Sequence, residues 1–198
     1  MPPLRTTPLF AGRIFRLDRD RVRFPDGSEG DFDIIRHPGA SAVVPFLDDP
    51  RSADPRVLLI HQYRYATGGD LWEIPAGRRD GDEDPAATAH RELAEETGYR
   101  AGRMERLASL YTTPGFTDEL IHLYLATELV PGESAREADE FLDLHELRWS
   151  AVGRMLRDGV IADAKTAAAL MWVQCWVRGA ALPSAASFSS SSLRSASW

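Results

Sequence analysis

One segment of this chain carries the signals for both ends of a helix. Asp84 is followed by Pro85, and an aspartate that accepts hydrogen bonds from first-turn amides, with proline at the first helical position, is typical of a helix start. Gly98 suits the left-handed residue just past the last turn. The sequence therefore predicts a helix over about residues 85–97.

Three glutamates crowd one face of this predicted helix. Glu92 lies one turn before Glu95 and Glu96, so the three carboxylates are neighbours on the helix surface. A divalent cation would relieve their mutual repulsion, and Mg²⁺ takes oxygen ligands of this kind. Taken alone, the three acids leave open the alternative of a solvated helix face. Arg91, one turn before Glu95, is placed to orient its carboxylate.

The surrounding residues make the pattern far more specific. Gly77, Glu83 and the run Arg-Glu-Leu-x-Glu-Glu-x-Gly over residues 91–98 stand at fixed distances from one another. This pattern resembles the complete signature of the Nudix hydrolase family, here called the Nudix box (residues 77–99), in which only Tyr99 departs from the usual aliphatic residue. The resemblance implies hydrolysis of a phosphoanhydride linked to a nucleoside.

The resemblance also implies roles for individual residues. Glu92, Glu95 and Glu96, with the backbone carbonyl of Ala76, are expected to hold Mg²⁺, with Mn²⁺ as an alternative. Glu95 is also expected among the catalytic residues, with Arg91 holding it in place. Such metal ions would neutralise phosphate charge and activate a water for in-line attack on phosphorus.

The general base must take a proton from the attacking water, within hydrogen-bond reach of it. The resemblance implies that this carboxylate comes from the acidic loop at residues 133–140. Glu140, immediately before the returning strand, is the favoured base or extra metal ligand, and Glu137 is the second candidate. The alternative for both is an ordinary solvated acid.

Segments outside the box resemble the ADP-ribose pyrophosphatase branch of the family. Pro114, 15 residues beyond Tyr99, is the marker of that branch. The resemblance implies conversion of ADP-ribose to AMP and ribose 5-phosphate. The alternatives are another nucleoside diphosphate sugar, such as GDP-mannose or ADP-glucose, or a non-catalytic ADP-ribose sensor. The resembling segments are His-Pro-Gly-Ala at 37–40, Gln-Tyr-Arg at 62–64, Glu-Ile-Pro-Ala-Gly at 73–77 and Thr-Pro-Gly-Phe-Thr-Asp-Glu at 113–119.

Carried over to this chain, the resemblance implies a set of substrate-binding residues. Arg64 is expected near the adenine or the adjacent phosphate, and Glu73 at the nucleobase end. Arg36 is expected in the same pocket, reaching across a dimer. Gly115 and Phe116 belong to an expected ribose-recognition loop. A plain surface charge is the alternative for both arginines.

The order of predicted elements indicates the fold class. Strand-like segments come first, the box helix lies in the middle, more strands follow, and two helices of about 151–158 and 164–178 come last, capped by Ser150 and Asp163. This order suggests an α/β/α sandwich around a mixed sheet. The Nudix resemblance implies the same α/β architecture.

The chain divides into three predicted parts. Residues 1–30 are expected to form a small N-terminal β-sheet element, with strands at 9–17 and 21–24 flanking a charged turn. The resemblance implies that such an element serves a homodimer. Residues 31–180 are the expected Nudix domain, and the Ser-rich residues 181–198 an expected flexible tail.

Composition narrows the function classes. A net charge of −7 argues against a nucleic-acid partner. No apolar run approaches the length of a membrane span, and the N-terminus has no apolar core of a signal peptide. The single cysteine cannot form an internal disulfide. These features favour a cytoplasmic protein without a membrane partner.

Overall fold

A computed structural model describes residues 2–132 and 142–179 of the chain. The two candidate bases, Glu137 and Glu140, lie outside the described residues, as does the Ser-rich tail at 181–198. Within the described ranges the chain forms ten strands and three α-helices. The strands are β1 (Arg5–Ala11), β2 (Arg16–Arg23), β3 (Glu29–Arg36), β4 (Ala40–Pro45), β5 (Arg56–Arg64), β6 (Gly69–Glu73), β7 (Ala76–Arg78), β8 (Tyr99–Tyr111), β9 (Leu120–Pro131) and β10 (Leu142–Arg148). The helices are α1 (Pro85–Thr97), α2 (Trp149–Arg157) and α3 (Ala164–Trp172), with π-helical residues Val173–Val177 after α3.

The strands form three sheets. An N-terminal antiparallel sheet has the order β1-β2-β3, and a second antiparallel sheet has the order β10-β5-β6. The third sheet, β7-β4-β9-β8, is mixed, because β4 and β9 run parallel while the outer pairs are antiparallel. The predicted α/β class with a mixed sheet is confirmed, and the predicted single sheet is divided in two.

Helices cover both faces of the mixed sheet. Side chains alternate between the faces of a strand, and along β4 Val43 packs with Ala89 and Leu93 of α1. Its neighbour Val44 belongs to a separate core cluster that includes Val152 of α2 and residues of α3. Because all six residues of β4 are buried, this strand lies at the centre of the sandwich. The candidate active site lies beside the end of β4 that pairs with β7.

Helix α1 begins and ends where the sequence predicts. The Asp84 side chain accepts hydrogen bonds from the amides of Ala86 and Ala87, and Gly98 adopts the left-handed conformation with φ of 73°. The N-cap of α3 is Asp163, also as predicted. The prediction that Ser150 caps α2 is wrong, because α2 begins at Trp149, two residues earlier than predicted, and the Ser150 hydroxyl instead donates to Asp54.

The predicted strand at residues 9–17 is wrong. A turn closed by the Gly12 amide and the Phe15 carbonyl, at 3.0 Å, separates β1 from β2. The predicted charged turn lies inside β2, where Asp18 and Asp20 are buried. Cross-strand ion pairs such as Arg19 with Asp33, at 2.7 Å, allow a charged segment to form a strand. The N-terminal sheet includes β3 and so extends past residue 30; the division into domains stays a prediction.

No helix in the described part of the chain combines the length and the apolar character needed to span a membrane.

Candidate active site

The box glutamates lie on α1 at the edge of a cavity of about 520 Å³. This space, here called the box cavity, is also bordered by the end of β5 and by β7. Glu92 and Glu96 are buried, and Glu95 is half-buried. Helical spacing therefore places all three carboxylates toward one cavity, as the sequence predicted. The lining residues are Arg13, Ile14, Gln62, Tyr63, Arg64, Tyr65, Ala76, Gly77, Arg78, Asp80, Arg91, Glu92, Glu95 and Glu96.

Gly77 is required by the close approach of β7 to α1. A Cβ atom at this position would overlap the carboxylate of Glu92. Next to it, the Ala76 amide donates a hydrogen bond to Glu96 Oε2 at 3.0 Å. The first glycine of the box therefore lets the backbone of residues 76–77 lie directly against two of the helix carboxylates.

Arg91 joins the acids of the box. Its Nη1 donates to Glu92 Oε1 at 2.6 Å and to Glu95 Oε2 at 3.0 Å, while its Nη2 donates to Glu83 Oε2 at 3.1 Å. Hydrogen bonds from Arg91, with others from Thr88 and the Asp80 amide, lower the pKa of Glu83 to about 2. The guanidinium itself has a raised pKa because of Glu83 first, and then the other two acids. Glu83 thus ties the loop before α1 to the helix.

The donor set at this end fits a hard divalent cation. Three carboxylates and the backbone at residues 76–77 line one cavity, and Mg²⁺ prefers a few carboxylates together with substrate phosphates. Within residues 2–132 and 142–179, no three His, Cys, Asp or Glu side chains are gathered as a closed metal site. At this position Arg91 pairs with two of the three acids. These residue types fit a divalent cation. Which of them would ligate it stays a prediction.

Arg64 and Glu73, predicted as neighbouring substrate residues, form a two-pronged ion pair. Arg64 Nε lies 2.7 Å from Glu73 Oε1, and its Nη2 lies 2.9 Å from Oε2. Burial alone would raise the pKa of Glu73, but hydrogen bonds and charge from Arg64 and Lys165 lower it overall. Glu73 is only 1% exposed, whereas Arg64 is 43% exposed and lines the box cavity. The structure thus brings the two residues together, and their contacts with substrate stay predictions.

Two residues of this region carried no predicted role. Lys165 donates to Glu73 and, at 2.9 Å, to Asp163. The signal available in the sequence was that it is the only lysine of the chain. Gln62, which lines the box cavity, is 8% exposed, and its Nε2 has no hydrogen-bond partner among the described residues. Gln62 belongs to the Gln-Tyr-Arg segment that carries the resemblance, but no role is predicted from the sequence for its amide.

The remaining predicted residues within the described ranges are not among those that line the box cavity. Arg36 pairs within its own chain with Asp20 of β2 and with Asp118, at 3.1 Å. Phe116 accepts a hydrogen bond from the Ile35 amide at 2.8 Å through its carbonyl, and so attaches the loop after β8 to β3. Neither Phe116 nor Gly115 is among the described residues that line the box cavity. Their predicted part in substrate recognition remains a prediction.

Comparisons with known proteins identify the family of this chain. The NUDIX domain family matches residues 36–170, which is more than half of the chain. The chain therefore belongs to the Nudix family, and the predictions of the family and of a Nudix hydrolase are confirmed. Hydrolases of this family generally use a divalent metal ion.

Two sequence relatives and one solved structure are similar to most of this chain. Over 173 residues the chain is 40% identical to the methanol dehydrogenase activator of Bacillus methanolicus, spanning 86% of this chain and 91% of that protein. It is 36% identical over 168 residues to the ADP-ribose pyrophosphatase of Bacillus subtilis (strain 168), spanning 84% and 88% respectively. A crystal structure of an ADP compounds hydrolase superposes with a TM-score of 0.73 over 90% of this chain and 94% of that one. Its sequence identity of 24% makes this a likeness of fold.

Proposed function

We propose that this chain is a divalent-metal-dependent pyrophosphohydrolase that cleaves the diphosphate bond of a nucleoside diphosphate sugar, with ADP-ribose giving AMP and ribose 5-phosphate. The observation that carries the proposal is that one cavity is lined by the three box carboxylates and by Arg64. Carboxylates are ligands for Mg²⁺, and a guanidinium fork matches phosphate. The similarity to an ADP-ribose pyrophosphatase supports the choice of substrate.

At the box end, Glu92, Glu95 and Glu96, with the Ala76 carbonyl, would hold Mg²⁺, or Mn²⁺ in its place. The chemistry that a bound divalent ion supplies is neutralisation of phosphate charge and activation of water. Arg91 would act as a positioning residue, since it contacts Glu92 and Glu95 and fixes their carboxylates before a metal ion is bound.

Where β5 ends at the same cavity, here called the Arg64 end, Arg64 would bind a phosphoryl oxygen. Its guanidinium has five N–H donors, and the contacts with Glu73 use Nε and Nη2, so donors remain for a phosphate. The proton of the attacking water would pass to an acid of the loop at residues 133–140, with Glu140 preferred to Glu137. Turnover by Glu140→Gln and Glu137→Gln variants separates these two candidates.

The N-terminal sheet supports a homodimer. All seven residues of β1 are exposed. Phe10, Ile14 and Phe15 of the same sheet region present apolar side chains that are also exposed. Apolar patches and strand edges of this kind are commonly covered by a partner. Sedimentation of the intact chain would test this part of the proposal: a Phe10→Ser, Ile14→Ser variant should shift toward the monomer.

Charge and cysteine content support the proposed location and the proposed absence of a nucleic-acid partner. A net charge of −7 disfavours nucleic acid as a partner, and one cysteine gives no internal disulfide. We therefore propose a cytoplasmic location, without a nucleic-acid or membrane partner.

Product release from a substrate panel tests the proposed function. The panel is ADP-ribose, ADP-glucose, GDP-mannose, NADH and diadenosine polyphosphates, each with Mg²⁺, with Mn²⁺ and with EDTA. Metal-dependent release of AMP, fastest from ADP-ribose, is the expected result. A preference for another sugar would keep the box chemistry and overturn the substrate. Tight ADP-ribose binding with no turnover would favour the sensor alternative.

A further inference from the structure

The first turn of α3 brings the only lysine of the chain to the substrate end of the site. Lys165 is 16% exposed and donates to the carboxylates of Glu73 and Asp163. It also lines a second cavity of about 410 Å³, which shares Arg64 and the backbone of residues 76–77 with the box cavity. Lys165 thus lines the second cavity, and its partner Glu73 connects it to Arg64, which lines both.

The turn that carries Lys165 is firmly attached to the strand end before the box. Asp163 caps α3 by accepting a hydrogen bond from the Thr166 amide at 3.0 Å. The Thr166 hydroxyl accepts a hydrogen bond from the Ile74 amide, also at 3.0 Å. Lys165 and Thr166 thus hold two successive residues, Glu73 and Ile74, which makes this turn a rigid support.

Two cations pair with the buried carboxylate of Glu73. Its side chain is 1% exposed, and a buried carboxylate is strongly unfavourable unless it is paired and hydrogen-bonded. Arg64 contacts both carboxylate oxygens, and Lys165 adds a second positive partner at Oε2. Without Lys165, Arg64 would be the only cation left on this carboxylate among the described contacts. The guanidinium, already bound to both oxygens, would then balance the buried negative charge alone and would be less available to a phosphate.

We propose that Lys165 is a positioning residue that fixes the Arg64 guanidinium, through the Glu73 carboxylate, in the place where it receives a phosphate of the substrate. This inference rests on the proposed function, because it takes the ligand to be a nucleoside diphosphate sugar. In this arrangement Glu73 links the two cations Arg64 and Lys165, and α3 contributes to substrate binding.

The test is a double-mutant cycle on full-length protein. Lys165→Met, Arg64→Ala and the double variant are compared with wild type in steady-state hydrolysis of ADP-ribose. Binding of ADP-ribose in EDTA is measured in parallel by calorimetry. Arg157→Met, which removes an exposed arginine paired with the adjacent Asp158, is the matched control. Lys165→Arg restores the positive charge.

Lys165→Met should raise KM, and weaken binding in EDTA, by about 10- to 100-fold, with kcat nearly unchanged, because a charge-assisted contact that positions the phosphate ligand is lost. The double variant should be no worse than Arg64→Ala, since Lys165 acts through Arg64. Lys165→Arg should recover most of the binding, and Arg157→Met should behave as wild type.

Several results would overturn the inference. These are independent, multiplying effects of the two substitutions, a fall in kcat at unchanged KM, or no effect of Lys165→Met. If methionine prevents folding, the same cycle is run with Lys165→Gln. Absence of ADP-ribose hydrolysis and binding by wild type would instead refute the proposed function, so the two failures are distinguishable.

Discussion

The two ends of the box cavity are assembled over very different distances along the chain. At the box end, Arg91 reaches its acidic partners over one, four and eight residues. At the Arg64 end, Lys165 and Thr166 reach Glu73 and Ile74 over 92 residues. The box end is therefore formed by one loop and one helix that are adjacent in the sequence. The Arg64–Glu73 pair itself spans nine residues of two neighbouring strands, but its support by Lys165 and Thr166 exists only when α3 is docked against the sheet. Changes in α3 should therefore alter substrate binding and leave the box carboxylates in place.

The largest expected effect concerns the box end. Glu96→Gln should lower kcat for ADP-ribose by about 10²–10⁴-fold, because a divalent ion contributes several kcal/mol to charge stabilisation in such reactions. Steady-state kinetics in Mg²⁺ measure the change. Glu105→Gln, at an exposed position in β8, is the control and should retain full activity. Full activity of Glu96→Gln would contradict the role of the box in catalysis.

The second prediction tests the close approach of β7 and α1. Gly77→Ala should reduce kcat by about 100-fold, because the added methyl displaces the Glu92 carboxylate and small misplacements at a catalytic site are costly. Its KM should change little, since the Arg64 end is not touched. Gly153→Ala is the matched control, because a Cβ at Gly153 of α2 meets nothing within 4 Å. Equal behaviour of the two variants would refute the steric account.

The third prediction addresses the attachment of α3. Thr166→Val removes the hydroxyl that accepts a hydrogen bond from the buried Ile74 amide. An unsatisfied buried amide costs about 1–3 kcal/mol, and urea denaturation should show a loss of that size. The partly buried Thr127 of β9 provides a control as Thr127→Val. In steady-state kinetics, Thr166→Val should raise KM more than it lowers kcat. A larger effect on kcat would mean that the box end and the Arg64 end do not act separately.

The smallest expected effect is a pH dependence of stability. The pKa of Glu83 is lowered from its ordinary value of 4.5 to about 2, chiefly by Arg91. Because the folded-state pKa is lower than the unfolded one, this carboxylate stabilises the fold above about pH 4.5, and the contribution is lost as the pH falls toward 2. The advantage of wild type over Glu83→Gln, about 1 kcal/mol at neutral pH, should shrink over that window in urea denaturation.

Arg91→Met provides the background that sharpens this prediction. Arg91 is the largest cause of the lowered pKa of Glu83, so its removal should bring that pKa back toward its ordinary value. In the Arg91→Met background, the effect of Glu83→Gln on the free energy of unfolding should therefore lose most of its pH dependence. A pH dependence that persists there would assign the lowered pKa to Thr88 and the Asp80 amide instead.

The box end could be predicted from sequence because its determinants are local. A cap at Asp84, a left-handed Gly98 and glutamates one turn apart depend on helix geometry alone. The close contact behind Gly77 is a tertiary feature, but the family pattern records it as a fixed glycine. The α/β class followed equally from the order of strands and helices.

The rest could not be predicted because it depends on pairing across the fold. In the sequence, the charged residues of β2 suggest a turn. They form a strand because cross-strand partners such as Asp33 lie beside them in the fold. Similarly, the sequence marks Lys165 only as the single lysine of the chain, and the docking of α3 brings it to Glu73. The resemblance implies contacts with substrate for Arg64 and Glu73, which stay predictions, and it does not include the ion pair that the two residues form across neighbouring strands.

The most direct test of the separation between the two ends is one saturation series of ADP-ribose hydrolysis with wild type, Glu96→Gln and Lys165→Met. If the two ends act separately, Glu96→Gln lowers kcat with KM nearly unchanged, and Lys165→Met raises KM with kcat nearly unchanged. The separation would be contradicted if both substitutions lowered kcat alone, or if both raised KM alone.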